Sequence, residues 1–200
     1  MRRTESTTPT RQSAARDRIL ATADRLFYNE GIHAVGVNRI VTESAVTRVT
    51  LYRHFPSKDD LIAAYLEHRA RYDMDQVTGI IAASADDPRR ALTELATALT
   101  RDDFAAMKRG CPFINASAEF VVGHEAREYG TQIRAWVTTR IEELLRRLDH
   151  RTPTATAQQL MMIRTGAVVS GALDHNENLN HDFLECWNML IERGLENDAV

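Results

Sequence analysis

The chain has 200 residues, 44% of them hydrophobic, which is enough for one ordinary domain or a small domain joined to a medium one. Its net charge of −3 is unevenly placed: residues 1 to 68 hold 10 Lys+Arg against 8 Asp+Glu (+2), leaving 15 against 20 (−5) for the remainder, so the front of the chain favours a polyanion and the back does not. Two cysteines without CxxC spacing, no apolar run near ~18 residues and an Arg/Thr/Ser-rich start without an apolar core argue against a disulfide framework, a membrane span and a secretory signal, and a cytoplasmic protein is expected.

Residues 1 to 12 lack apolar anchors and read as a disordered arm, whose Arg2, Arg3 and Arg11 either reach a minor groove or stay solvated. A first helix is predicted from Ser13 to Asn29, burying Ile19, Ala23, Leu26 and Phe27 and stopped by Gly31. Val37, Ile40 and Val41 then recur on one helix face, and Leu51 and Phe55 repeat the spacing after an interruption. Two short helices therefore meet at the turn Ser44-Ala45-Val46-Thr47, with Val46 plugging the angle and Thr47 capping the second helix, a helix-turn-helix pattern. Thr47, Arg48, Thr50, Arg53 and His54 lie away from Leu51 and Phe55, and this face offers donors to phosphates and base edges with no acid among them. From Gly36 to Lys58 the basic residues Arg39, Arg48, Arg53 and Lys58 outweigh Glu43. Ser57, with Asp60 three residues on, has the capping-box spacing of a fourth helix whose N-terminus and Lys58 suit a phosphate.

With these residues in view, Asp17 to Leu66 resembles the DNA-binding domain of the TetR (tetracycline-repressor-like) family. The resemblance is carried by Ile19-Leu20-x-x-Ala23-x-x-Leu26-Phe27-x-x-x-Gly31, by Val37-x-x-Ile40 and most specifically by Thr50-Leu51-Tyr52-Arg53-His54-Phe55-Pro56-Ser57-Lys58-Asp59-Asp60-Leu61. Two positions depart from the family pattern. Gly36 stands where Thr or Ser often caps the second helix, and Ala45 must take a turn conformation easier for glycine. The resemblance implies a transcription regulator bound to an inverted-repeat operator in double-stranded DNA. It places Asn38 and Arg48 at base edges and Val49 and Thr50 against thymine methyls, with Thr47, Tyr52, Arg53, His54 and Lys58 on phosphates and Arg39 in the same basic face.

Beyond the front domain, expected over residues 13 to 60, the rest of the chain to residue 200 shows only helical spacing. Helix 4 continues through Leu61, Ile62, Tyr65, Leu66, Tyr72 and Met74 to about Ala85. Asp86-Asp87-Pro88 starts helix 5, marked by Ala91, Leu92, Leu95, Leu99 and Phe104. A short helix 6 follows Pro112, and helix 7 runs from Glu125 to Asp149. Helix 8 covers Thr154 to Leu173 and helix 9 Phe183 to Glu196, with Asn176 to Asn180 between them. The expected fold is all-α, with about nine helices: an N-terminal three-helix helix-turn-helix domain and a C-terminal helical ligand-binding and dimerisation domain.

The resemblance also implies a small-molecule effector enclosed in that second domain. Met74, Phe104, Met107, Phe113, Asn115, Phe120, Trp136 and Met162 can line a pocket, though position by position all but Asn115 read better as ordinary core residues. Helix 8 carries small residues between Thr165 and Ala172, and helix 9 more apolar surface than one neighbour needs. They match the pair through which the family forms homodimers, with Gly166, Val169, Ser170, Gly171, Phe183, Trp187, Leu190 and Ile191 at the interface. Asp174-His175, His181-Asp182 and His124-Glu125 have no compact ligand spacing, so neither metal nor other cofactor is expected. No nucleophile elbow, Ser/His/Asp ordering or phosphate-cradling glycine loop points to an enzyme.

Overall fold

The computed structural model describes residues 11–84, 86–101, 109–174 and 176–195. Phe104, Met107, His175 and most of the N-terminal arm, Arg2 and Arg3 included, lie outside the described residues. Among those described there are nine helices and no strand: α1 (Arg11–Glu30), α2 (Val37–Glu43), α3 (Arg48–His54), α4 (Lys58–Ala83), α5 (Pro88–Arg101), α6 (Pro112–Glu119), α7 (Glu125–Arg147), α8 (Pro153–Leu173) and α9 (Leu179–Arg193). The chain divides into two compact units, residues 1–68 and 69–200, and the division falls inside α4.

In the first unit the apolar stripe of α1, Ile19, Ala23, Leu26 and Phe27, is fully or nearly fully buried with Ile40 of α2, Leu51 of α3 and Leu61, Ile62, Tyr65 and Leu66 of α4. Phe27 meets Tyr65 edge to face, with ring centroids 5.6 Å apart. Ile32 and Val35, in the connection after α1, are buried as well and complete this core. Gly31 ends α1 at φ 97 while its N–H reaches the Phe27 carbonyl at 3.0 Å, a left-handed stop that glycine adopts without Cβ strain. Ser57 and Asp60 form the reciprocal cap: the Asp60 N–H donates to Ser57 Oγ (3.0 Å) and the Ser57 N–H to Asp60 Oδ2 (2.9 Å).

In the second unit α7 packs against α5, α6 and α8, and α9 packs against α8 and α5. Leu92 and Leu95, Phe113 and Ala116, Ile141, Leu144 and Leu145, Leu160 and Val168, and Trp187 and Ile191 make its core. The approach of α6 to α7 is close at Gly130, where a Cβ would stand 3.3 Å from that of Phe113.

Element boundaries shift at polar residues. Helix α9 starts at Leu179 rather than Phe183, because Asn176 Oδ1 accepts the Asn178 N–H at 2.9 Å and its amide donates to Asp182, ordering a polar first turn. Helix α7 ends at Arg147, and Asp149 takes φ 55 in the turn that follows. Beyond Leu66 helix α4 loses its expected apolar burial: Tyr72 is 57% exposed and Met74 is half-buried.

Candidate nucleic-acid interface

Helices α2 and α3 are each seven residues long, and their joint is held by local bonds. Ser44 is buried and donates its hydroxyl to the Ile40 carbonyl at 2.6 Å. Ala45 then sits at φ 53, in the left-handed region, and Val46 is half-buried with its N–H reaching the Val41 carbonyl. Thr47 caps α3 by accepting the Thr50 N–H at 3.1 Å, and its hydroxyl lies 2.9 Å from that of Thr50. Leu51 and Phe55 anchor the inner side of this segment at 0% and 2% exposure, and the Arg16 guanidinium of α1 lies 5.1 Å over the Phe55 ring.

The opposite side of α3 is polar and open. Arg48 and Arg53 are exposed, Val49 is 77% and Tyr52 40% exposed, and Asn38 of α2 is exposed as well. His54 is half-buried, with its Nε2 unpaired among the described residues. An apolar valine held in water beside two arginines and a tyrosine is what a surface needs if it is to meet a thymine methyl and a phosphate backbone together.

Two residues expected on this face have other engagements. Arg39 donates through Nε to Glu43 at 2.8 Å and through Nη1 to Glu30, and Glu43 also accepts from Arg25 at 2.5 Å. Glu43 and then Glu30 raise the pKa of the Arg39 guanidinium, while Arg25 and then Arg39 hold the Glu43 carboxyl below its usual value. Lys58 lays its ammonium on the Ile32 carbonyl at 2.7 Å, 6.0 Å from the Phe27 ring, so its charge fastens α4 to the end of α1. Asp59 and Asp60 share the first turn of α4 and oppose an anion there.

The effector-lining residues are differently disposed. Phe113 is buried in the core under α6, Met162 is 59% exposed, and Trp136 is half-buried with the Arg140 guanidinium 5.7 Å over its ring. Phe120 stacks on His124, and the Asn115 amide already donates to the Arg109 carbonyl at 2.6 Å. A cleft of about 310 Å³ lies elsewhere, between α4 and α5, lined by Asp75, Gln76, Gly79, Ile80, Arg90 and Glu94 among others. Its polar lining had no periodic signal in the sequence.

Of the residues assigned to a dimer interface, Phe183, Trp187 and Ile191 are buried within the single chain at 4%, 0% and 3% exposure, because α9 spends this face on α8 and α5. Ser170, Gly171 and Leu190 are half-buried; Gly166 and Val169 are exposed, and a Cβ on Gly166 would meet nothing within 4 Å. Met162 and Leu173 extend that exposed stripe along α8, and Met189 of α9 is exposed as well. Among the described residues no group of three His, Cys, Asp or Glu side chains could hold a metal ion, and no helix is long and apolar enough to cross a membrane.

Residues 19–65 match the family described as bacterial regulatory proteins, tetR family. An uncharacterised helix-turn-helix-type transcriptional regulator of Mycobacterium tuberculosis is 34% identical over 89 residues, a match spanning 44% of this chain and 44% of the relative. This is less than half the relative's length. Over the whole fold, the crystal structure of a TetR-family transcriptional regulator from Streptomyces coelicolor is 37% identical, with a TM-score of 0.86 covering 94% of this chain and 92% of that one. A TetR-family regulator from Cytophaga hutchinsonii matches with a TM-score of 0.80 over 96% of this chain and 100% of its own, a likeness of fold alone at 14% identity.

Proposed function

Because the chain belongs to the TetR family of DNA-binding transcriptional regulators, which are not enzymes, we propose that it acts as a homodimeric repressor released from an inverted-repeat operator by a small molecule. The observation that carries the DNA half is the capped helix α3, whose inner side is anchored by Leu51 and Phe55 and whose outer side presents Arg48, Val49, Tyr52 and Arg53. Arg48 suits the paired acceptors of guanine and Asn38 those of adenine, while Val49 and Thr50 supply methyl contacts to thymine. Tyr52, Arg53 and His54 serve the phosphates.

A dimer is supported by the exposed stripe Met162, Gly166, Val169 and Leu173, whose spacings of four, three and four residues put it on one face of α8. An isologous pairing of α8 and α9 with a second copy would cover it and present two α3 helices to half-sites about 34–36 Å apart. An effector is supported by α4, one unbroken helix from Lys58 to Ala83 that follows the reading helix and also forms one wall of the α4–α5 cleft. A ligand displacing this helix by a small amount would shift α3, and a coupling of about 1–3 kcal/mol changes DNA affinity about 5–150-fold. The Asn115 amide, bonded already to Arg109, favours a second reading: a regulator of the same fold that takes no small molecule.

The test is selection of duplexes from a randomised pool by the purified protein, followed by binding at several salt concentrations. An inverted repeat bound with a steep salt dependence is expected. Selection of no common sequence would overturn the reading of α3, and a selected operator whose affinity no metabolite pool alters would favour the second reading.

A further inference from the structure

On local terms α2 is a poor helix. Seven residues are too few to sustain a helix alone, Gly36 supplies no side-chain cap, and Ile40 is its buried residue. Its last residue, Glu43, puts a carboxylate at the negative end of the helix dipole, where it is disfavoured, and on a unit that must approach phosphates. What this acid accomplishes is visible in its partners. Glu43 Oε2 accepts from Arg25 of α1 at 2.5 Å and Oε1 from Arg39 Nε at 2.8 Å, while Arg39 passes its Nη1 hydrogen to Glu30, the last residue of α1. The sequence of charges Arg25, Glu43, Arg39, Glu30 alternates in sign and crosses between α1 and α2 twice. Glu43 is its least exposed member, with a side chain 30% exposed against 54% for Arg25 and 49% for Arg39. The left-handed turn at Ala45 and the reading helix α3 begin immediately afterwards.

We infer that Glu43 is a positioning residue for DNA recognition: with Arg25, Arg39 and Glu30 it braces the end of α2 against α1, so fixing the direction of α3, and Arg39 serves this brace rather than a phosphate. The inference rests on the reading that α3 docks on DNA. It gives an unusual sign. Removing a negative charge near a polyanion tightens binding by simple electrostatics, whereas loosening the brace weakens recognition of the operator.

The probes are the duplex that the wild-type protein selects from a randomised pool and a scrambled duplex of the same composition. Glu43→Gln should lower affinity for the selected duplex about 3- to 10-fold, the range of one to two exposed ion pairs acting together, while affinity for the scrambled duplex stays equal or rises. Arg39→Ala should give a similar loss without changing the slope of log K against log salt, and the two changes combined should cost little more than either alone. Glu43→Gln binding the selected duplex as tightly as wild type would overturn the inference. So would an Arg39→Ala slope reduced by about one unit, the mark of a phosphate contact, or equal losses on both duplexes with a lower melting temperature, the mark of partial unfolding. A wild-type protein that selects no duplex overturns the reading of α3 itself, which is a different failure.

Discussion

Replacing Ala45 with glycine should make this protein more stable, and replacing it with valine should make it less so. Ala45 has φ 53, where the Cβ of an L-residue crowds the following carbonyl at a cost of about 1–2 kcal/mol. Glycine removes that cost and gives back about 0.5–1 kcal/mol through the greater freedom of its unfolded chain, so the net gain is about 0.5–1 kcal/mol. Nothing else is lost, since the residue is exposed and its N–H bond to the Thr42 carbonyl, 3.3 Å, is a backbone bond that glycine keeps. For a unit of this size the gain corresponds to roughly 2–8 °C in the melting transition of residues 1–68. Valine, branched at Cβ, strains the left-handed region further and should lose about 1 kcal/mol or more. Thermal unfolding followed by circular dichroism, with urea midpoints compared at constant m, measures both. A glycine variant melting at or below wild type, or a valine variant as stable as wild type, would refute a left-handed backbone at this turn.

Gly194→Ala should destabilise the second unit by about 1–3 kcal/mol, because its Cβ would fall 1.9 Å from the His150 ring, whose Nδ1 is held by the Thr152 N–H. His150→Ala in the same chain should recover part of that loss in urea unfolding. Arg48→Ala should relax preference at one operator base pair, costing about 1–3 kcal/mol, whereas Arg53→Ala should weaken all duplexes alike and lower the salt slope by about one unit; titrations across a set of point-changed operators separate the two. Gly166→Trp, enlarging an open position on the exposed face of α8, should shift the sedimenting mass toward one subunit without lowering the melting temperature of residues 1–68. Glu43 is held below its usual pKa by Arg25 and Arg39, and Glu192 by Arg89, so their folded values lie below their unfolded ones. The stability these pairs contribute is present above the ordinary carboxylate range and is lost as pH falls through the folded values, so a Glu43→Gln, Glu192→Gln variant should differ from wild type at neutral pH and converge with it in acid unfolding.

The helices were legible because their determinants are close in sequence. The stripe Ile19, Ala23, Leu26, Phe27, the Ser57–Asp60 cap, the Thr47 cap and the glycine stop at Gly31 are built from steps of four residues or fewer, and all take the form that spacing and residue type require. The left-handed demand at Ala45, φ 53, came instead from the family resemblance, whose pattern has glycine at this place in the turn. Helix α9 starts four residues before its apolar spacing does, because asparagines favour loops when counted singly, while here Asn176 bonds Asn178 and Asp182 to order the first turn.

Partners distant along the chain were decided only by the tertiary structure. Arg39 is a basic residue on a basic stretch, and sequence alone assigns it to DNA; the fold brings it Glu30 nine positions away and brings Glu43 an Arg25 eighteen away. Lys58 is likewise claimed by the Ile32 carbonyl, and Phe183, Trp187 and Ile191 by the chain's own core, leaving Met162, Gly166, Val169 and Leu173 as the exposed stripe. Periodicity says which side of a helix is apolar, but a charged or aromatic side chain has several satisfactory partners of equal chemistry. Which of them it meets is settled by how the helices pack, through distances that no local pattern encodes.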